Sequence, residues 1–282
     1  MKTKVALLLL APVLCWGEQF ASGTNTLRFG IVADAHYADT DARGGRAYRD
    51  GLKLMCECVE TMNREKVDFL VELGDFKDQD NPPVEARTLT FLKTIEAEFA
   101  KFAGPRYHAL GNHDMDSLSK TMFLEAVENT GISKDKSYYS FVHKGLQCIV
   151  LDANFKRDGM PSNKSNSDWK DANIPKEELE WLTKTLAEHN GKSIIFLHQR
   201  LDNDGAAVCV RNAAEVRKIL AESKKVLAVF SGHDHPGAKS VIEGIQYYTL
   251  RWLTSGYAIV EVNNVNFLAV KGFRKVPSTE LK

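Results

Sequence analysis

The chain has 282 residues, 44% of them hydrophobic, which is enough for a sizeable buried core. Its 37 Lys+Arg are matched by 37 Asp+Glu. That balance excludes the broadly basic surface of a nucleic-acid binder and the acidic excess of a solvating tail, so any attraction for a charged substrate must be local.

The opening stretch, MKTKVALLLLAPVLCWGEQ, carries Lys2 and Lys4, an apolar run from Val5 to Trp16, then Gly17. A short positive segment, a short apolar segment and a small residue describe a secretory signal peptide over residues 1–23, with cleavage near Gly17 or Gly23. The run is too short to span a bilayer. The expectation is an exported protein, periplasmic or extracellular, with no stable membrane anchor after cleavage and a single domain over 24–282. Beyond the signal, Cys56, Cys58, Cys148 and Cys209 match neither a zinc pattern nor a disulfide framework. Cys56 is expected on the apolar face of a helix and Cys148 in a strand.

Along the chain, TLRFGIVA (Thr26–Ala33) reads as a strand ending at Asp34. Leu52, Met55, Cys56, Val59 and Met62 recur at helical spacing. Val67–Leu73 is a second apolar strand, ending at Gly74-Asp75, and Leu92, Ile95 and Phe99 mark another helix. Arg106–Leu110 is a third strand, with His108 a structural residue, ending at Gly111-Asn112-His113-Asp114. SYYSFVH and LQCIVLD flank Lys144-Gly145 as a hairpin. Residues 155–173 are polar and aperiodic, long for a connection, and so a candidate substrate loop. Pro175 opens a helix with Leu179, Leu182 and Leu186. Ser193–Leu197 is a strand ending at His198. Asn212 and Glu215 predict a capping box before Val216, Ile219 and Leu220. Val226–Phe230 is a strand closed by Gly232-His233-Asp234-His235, and IQYYTL, YAIVEV and NFLAV are strands too. The order, alternating first and β-rich last, predicts a layered α/β sandwich.

Five of these strands end in metal-binding residue types: Asp34 and His36; Asp75; Asn112 and His113; His198; His233 and His235. Ligands of open α/β sheets gather beyond the carboxyl ends of strands, so residues distant in sequence can meet there. A mixed set of carboxylate, amide and imidazole donors this large exceeds what one ion needs and fits two ions sharing a carboxylate. Arg46, Arg49 and Arg200 are candidates for phosphate contact.

The motifs DxH, GDxxD, GNHD, a lone His and GHxH, in that order, resemble the calcineurin-like metallophosphoesterase superfamily. The resemblance implies a four-layer αββα sandwich and a dinuclear centre. It would place Asp34, His36 and His235 on one ion, Asn112, His198 and His233 on the other, and Asp75 between them. His113 would stand near the leaving oxygen, oriented by Asp114. The ions would be two divalent cations, with manganese, iron, zinc or cobalt all compatible with these donors. FGIVADAHYADTD, RAYR, LDA, ELEWL, VCVRNAAEV and VKGFRKVPS are similar to manganese-dependent ADP-ribose/CDP-alcohol diphosphatases. The chain departs from that pattern at Asp114, at Gln199-Arg200 and in a shorter middle loop. The expected activity is hydrolysis of a phosphoester or diphosphate bond in a small phosphorylated substrate, such as the nucleotide-like ADP-ribose or CDP-alcohols that the resemblance implies, with no nucleic acid partner. A phosphomonoesterase, a cyclic nucleotide phosphodiesterase and a non-catalytic metal-binding module are the alternatives.

Overall fold

In each inner strand, alternate side chains enter two different cores, and this alternation sets the layering. The protein is described by a computed structural model over residues 26–164, 168–263 and 268–281. The proposed signal segment, 1–23, lies outside the described residues. The first sheet holds β1 (Leu27–Val32), β2 (Phe69–Glu72), β3 (Arg106–His108), β10 (Ala258–Val262), β11 (Leu268–Gly272) and β12 (Thr279–Leu281), in the order β12-β11-β10-β1-β2-β3. The second holds β4 (Tyr139–His143), β5 (Leu146–Val150), β6 (Ser193–Phe196), β7 (Val226–Ser231), β8 (Ala238–Ile242) and β9 (Ile245–Thr249), in the order β4-β5-β6-β7-β9-β8. Phe29, Phe69, Cys148, Phe196 and Phe230 interdigitate between the two sheets.

The outer face of the first sheet, through Val32, Leu70 and Ile259, packs on α1 (Asp50–Glu65), α2 (Glu85–Phe99) and α3 (Lys120–Ala126). The outer face of the second, through Ile149, Ile195 and Val229, packs on α4 (Lys176–Glu188) and α5 (Ala213–Ser223). The result is the four-layer αββα sandwich. Strands β1, β2 and β3 run parallel, as do β5, β6, β7 and β9. Their carboxyl ends therefore open on a common edge.

Several local expectations change. Cys58, not Cys56, is the helix cysteine in the core; Cys56 is half-buried and its thiol points to Glu60. The helical stripe runs through Leu54, Met55, Cys58, Val59 and Met62, which turns Cys56 outward. The four cysteines among the described residues are free. Asn212 forms no capping box. Its side chain instead exchanges hydrogen bonds with the backbone of Ile174, at 3.0 and 2.8 Å, stitching the start of α5 to the segment before α4. His108 is buried between Glu72 and Glu96, 3.5 and 3.1 Å away, beneath Phe76 and Phe99.

Candidate metal centre

Asp34 and His36 follow β1, Asp75 follows β2, Asn112 and His113 follow β3, His198 follows β6, and His233 and His235 follow β7. Backbone bonds hold these strand ends in register: Asp34 N–H donates to Gly74 O at 3.0 Å, His36 N–H to Asp75 O at 2.9 Å and Gly232 N–H to His198 O at 3.0 Å. Four of the residues lie in the left-handed region, with φ of 55° at Asp34, 46° at His36, 56° at Asp75 and 68° at His233. Each such conformation costs a side-chain-bearing residue about 1 kcal/mol or more, and strain of this kind persists where the surroundings impose it, often at functional sites. Gly111 lets the ends of β2 and β3 press together: a Cβ there would sit 2.1 Å from Asp75 N.

The side chains converge in two groups. Asp34 Oδ1 is 3.3 Å from His235 Nε2, and His235 Nε2 is 3.1 Å from His36 Nε2. His198 Nε2 is 3.0 Å from His233 Nδ1 and 3.2 Å from Asp75 Oδ2. The same Asp75 oxygen lies 3.7 Å from His36 Nε2, so this carboxylate reaches both groups. His198 donates its Nδ1–H to Leu73 O at 2.8 Å, which fixes the ring with Nε2 aimed inward. Asn112 is buried, and its Oδ1 has no hydrogen-bond partner.

These features fit bound cations. Facing imidazole nitrogens repel unless a proton or a cation lies between them. Spacings of 3.0–3.3 Å match neighbouring corners of an ion's coordination shell with bonds of about 2.1 Å. Asp34, His36 and His235 would hold one ion, Asn112, His198 and His233 a second, with Asp75 shared.

Without cations, the buried charges perturb one another. Burial would raise the Asp34 and Asp75 carboxyls, yet both lie below the usual range. His235 and His198 overcome burial at Asp34, and His198 and His113 overcome it at Asp75. Burial opposes charge on His198 as well, but Asp75 pushes it up to about 10. His233, desolvated and facing that cationic ring, is pushed down to about 3.

His113 stands beside the cluster, but Asp114 does not orient it. The Asp114 carboxylate is fully buried and accepts the backbone N–H groups of Gly111 at 2.8 Å, Asp75 at 3.0 Å and Phe76 at 3.0 Å. It thereby ties the β2 and β3 loops together. The imidazole partner is Asp116, whose Oδ2 lies 2.6 Å from His113 Nδ1. Residues three apart on the turn His113–Met115 meet on one face, and the spacing in HDMD carried that signal. Lys77, also fully buried, donates its ammonium to His113 O. Asp78 lies 3.4 Å from His36 Nδ1 and 3.7 Å from His113 Nδ1, and so braces both rings.

Of the three candidate arginines, Arg46 alone reaches the cluster. Its Nη1 is 3.2 Å from both His113 Nε2 and Asp78 Oδ2. Arg49 pairs with Asp39 and Asp41 on the surface. Arg200 is held by Asp202 and Asp234 at 2.9 and 2.6 Å.

A dinuclear donor set at the strand ends of an αββα sandwich defines a class. Residues 27–237 match the calcineurin-like phosphoesterase family, and the chain belongs to it. It is a metal-dependent phosphoesterase, a hydrolase. Within that class it is 29% identical to a manganese-dependent ADP-ribose/CDP-alcohol diphosphatase of Oryza sativa subsp. japonica, over 90% of this chain and 93% of that one. It is 24% identical to a probable cyclic nucleotide phosphodiesterase of Fibrobacter succinogenes, over 74% and 73% of the two chains. In fold it is similar to a dimetal phosphatase from Danio rerio, with a TM-score of 0.77 and 21% identity over 91% of this chain and 98% of that one.

Proposed function

We propose that the protein hydrolyses the diphosphate bond of small nucleotide-like substrates such as ADP-ribose or CDP-alcohols, and that it does so after export. The observation that carries the substrate class is the end-to-end likeness to the rice diphosphatase, which extends well beyond the metal motifs. Two bound cations would supply Lewis acidity at the phosphoryl group and a water made acidic enough to act as nucleophile. The chain's own groups do the rest. Asp75 and Asp78 fix the imidazoles of both groups. Asp116 anchors His113 through Nδ1, leaving Nε2 to protonate the departing oxygen as the P–O bond breaks.

Burial opposes charge on His113, but Asp75 and Asp116 push it up to about 9. Once protonated, Nε2 is a donor and no longer accepts from Arg46. The guanidinium and imidazolium then face each other, an arrangement suited to an anionic phosphoryl oxygen between them.

A panel with Mn²⁺ tests the substrate. ADP-ribose or a CDP-alcohol is expected to show a higher kcat/KM than cyclic AMP or alkyl phosphate monoesters. If cyclic AMP leads, the Fibrobacter likeness is the better guide, and the diphosphatase reading falls. The proposal of export rests on the pattern of residues 1–23. Intact mass of protein recovered from the medium or periplasm should show a chain beginning shortly after Gly17–Gly23. A chain confined to the cytosol and still starting at Met1 overturns it.

A further inference from the structure

Among the described residues, the large hydrophobic side chains left exposed include a single aromatic, Trp169, which is 41% exposed. It stands at the metal cluster. Its ring centroid is 5.6 Å from that of His233, at an interplanar angle of 62°. The Lys170 ammonium lies 5.5 Å from the indole centroid. Trp252, on the other side of the GHDH turn, makes a useful contrast. It stacks flat on His235 at 4.8 Å and 13°, so its face is taken up in fixing that ring. Trp169 is tilted against His233 and keeps much of its surface open to water.

The indole touches the His233 ring and has the Lys170 ammonium over it, yet much of its surface stays exposed beside a metal ligand. Apolar surface at a polar pocket's rim is characteristic of ligand recognition. A planar aromatic ring is the partner that gains most from it, because stacking accepts any base. A phosphate seated at the cluster leaves its nucleoside's base about one sugar away, a separation that an aromatic side chain touching a metal-ligand ring can span. Lys170 adds positive charge next to that ring, which favours a phosphate-bearing ligand over a neutral one. Arg46 lies at His113 and so serves the phosphoryl end.

We propose that Trp169 is the stacking platform for the substrate's nucleobase and sets the site's preference for nucleotides over non-aromatic phosphoesters. This rests on the nucleotide-substrate reading above, but it does not depend on whether the scissile bond is a diphosphate or a cyclic diester. Stacking on an aromatic side chain corresponds to about a five- to hundredfold loss when that side chain is cut to alanine.

The test uses the Mn²⁺-loaded enzyme. In Trp169→Ala, the ratio of kcat/KM for the best nucleotide of the panel to that for an alkyl phosphate should fall about five- to hundredfold, chiefly through KM. Trp169→Phe should restore most of the ratio. AMP should quench tryptophan fluorescence in the parent enzyme, and Trp169→Phe should lose that quenching. If the ratio holds while both activities drop together, Trp169 merely supports His233 and the proposal is overturned. An unchanged ratio with unchanged quenching overturns it as well. Should ADP-ribose prove a poor substrate while cyclic AMP is a good one, the same ratio measured with cyclic AMP still decides the role of Trp169, so the two readings fail separately.

Discussion

Asp75→Asn is expected to lower kcat/KM on the order of a thousandfold, a loss of several kcal/mol at about 1.4 kcal/mol per decade. Asp75 Oδ2 approaches His198 Nε2 at 3.2 Å and His36 Nε2 at 3.7 Å, while its Oδ1 accepts the His113 N–H at 2.7 Å. Neutralising it weakens both groups together and leaves clustered imidazoles without their central anion. Asp78 touches the rings from behind, and the loss of a group that orients ligands costs about 10–100-fold. Asp78→Asn should therefore be the milder variant. Elemental metal analysis and circular dichroism on both variants separate lost metal from lost fold. Two equivalents of metal with normal turnover in Asp75→Asn would end the proposal that this carboxylate bridges two ions.

His113→Ala should slow alkyl phosphate hydrolysis by about 10²–10⁴-fold, the range for loss of a general acid. A diphosphate expels a phosphate monoester, a weak base that leaves with little help. An alkyl ester expels an alkoxide, which needs its proton in the transition state. The penalty should therefore rise with the basicity of the leaving group. A series of aryl and alkyl phosphates measured with parent and variant gives the slope. Equal penalties across the series would mean that His113 only binds substrate, and would remove it as a proton donor. Asp116→Asn should reproduce part of the same slope, because that carboxylate holds Nδ1.

Most strands of the two sheets were legible because they are short apolar runs closed by Gly, Asp or His, and the residues that cluster were legible because they stand at five of those closures. What escaped the sequence has physical reasons. β8 is half-exposed, with Lys239 and Val241 facing outward, so no apolar run marks it. A Glu243-Gly244 pair with φ of 51° and 77° does turn it into β9, and that dipeptide was the available signal. α3 is only seven residues long, too short for its periodicity to register. The role of Asp114 was misread because a carboxylate adjoining a histidine in sequence looks like its partner. On this tight turn the neighbouring side chain points into the backbone, and the residue three positions along meets the ring. Arg46 could not be told from Arg49 or Arg200 by type alone, since the difference lies in which acids surround each one in space.

The left-handed strand ends govern how this centre can be dissected. Asp34, His36, Asp75 and His233 each hold a positive φ, so a replacement there is judged twice, once for the donor it removes and once for the backbone it must still adopt. Asparagine is among the residues most at ease in that region, while β-branched residues are the least. Val or Thr at these positions would report a displaced loop as though it were a missing ligand. At Asp34 and Asp75, Asn keeps the turn and removes only the charge; at His36 and His233 it keeps the turn and takes away the imidazole. The same constraint restricts which residues evolution can try here: a mutation that discards a donor yet preserves the local path is restricted to a few side chains, so these positions offer few neutral routes away from metal binding.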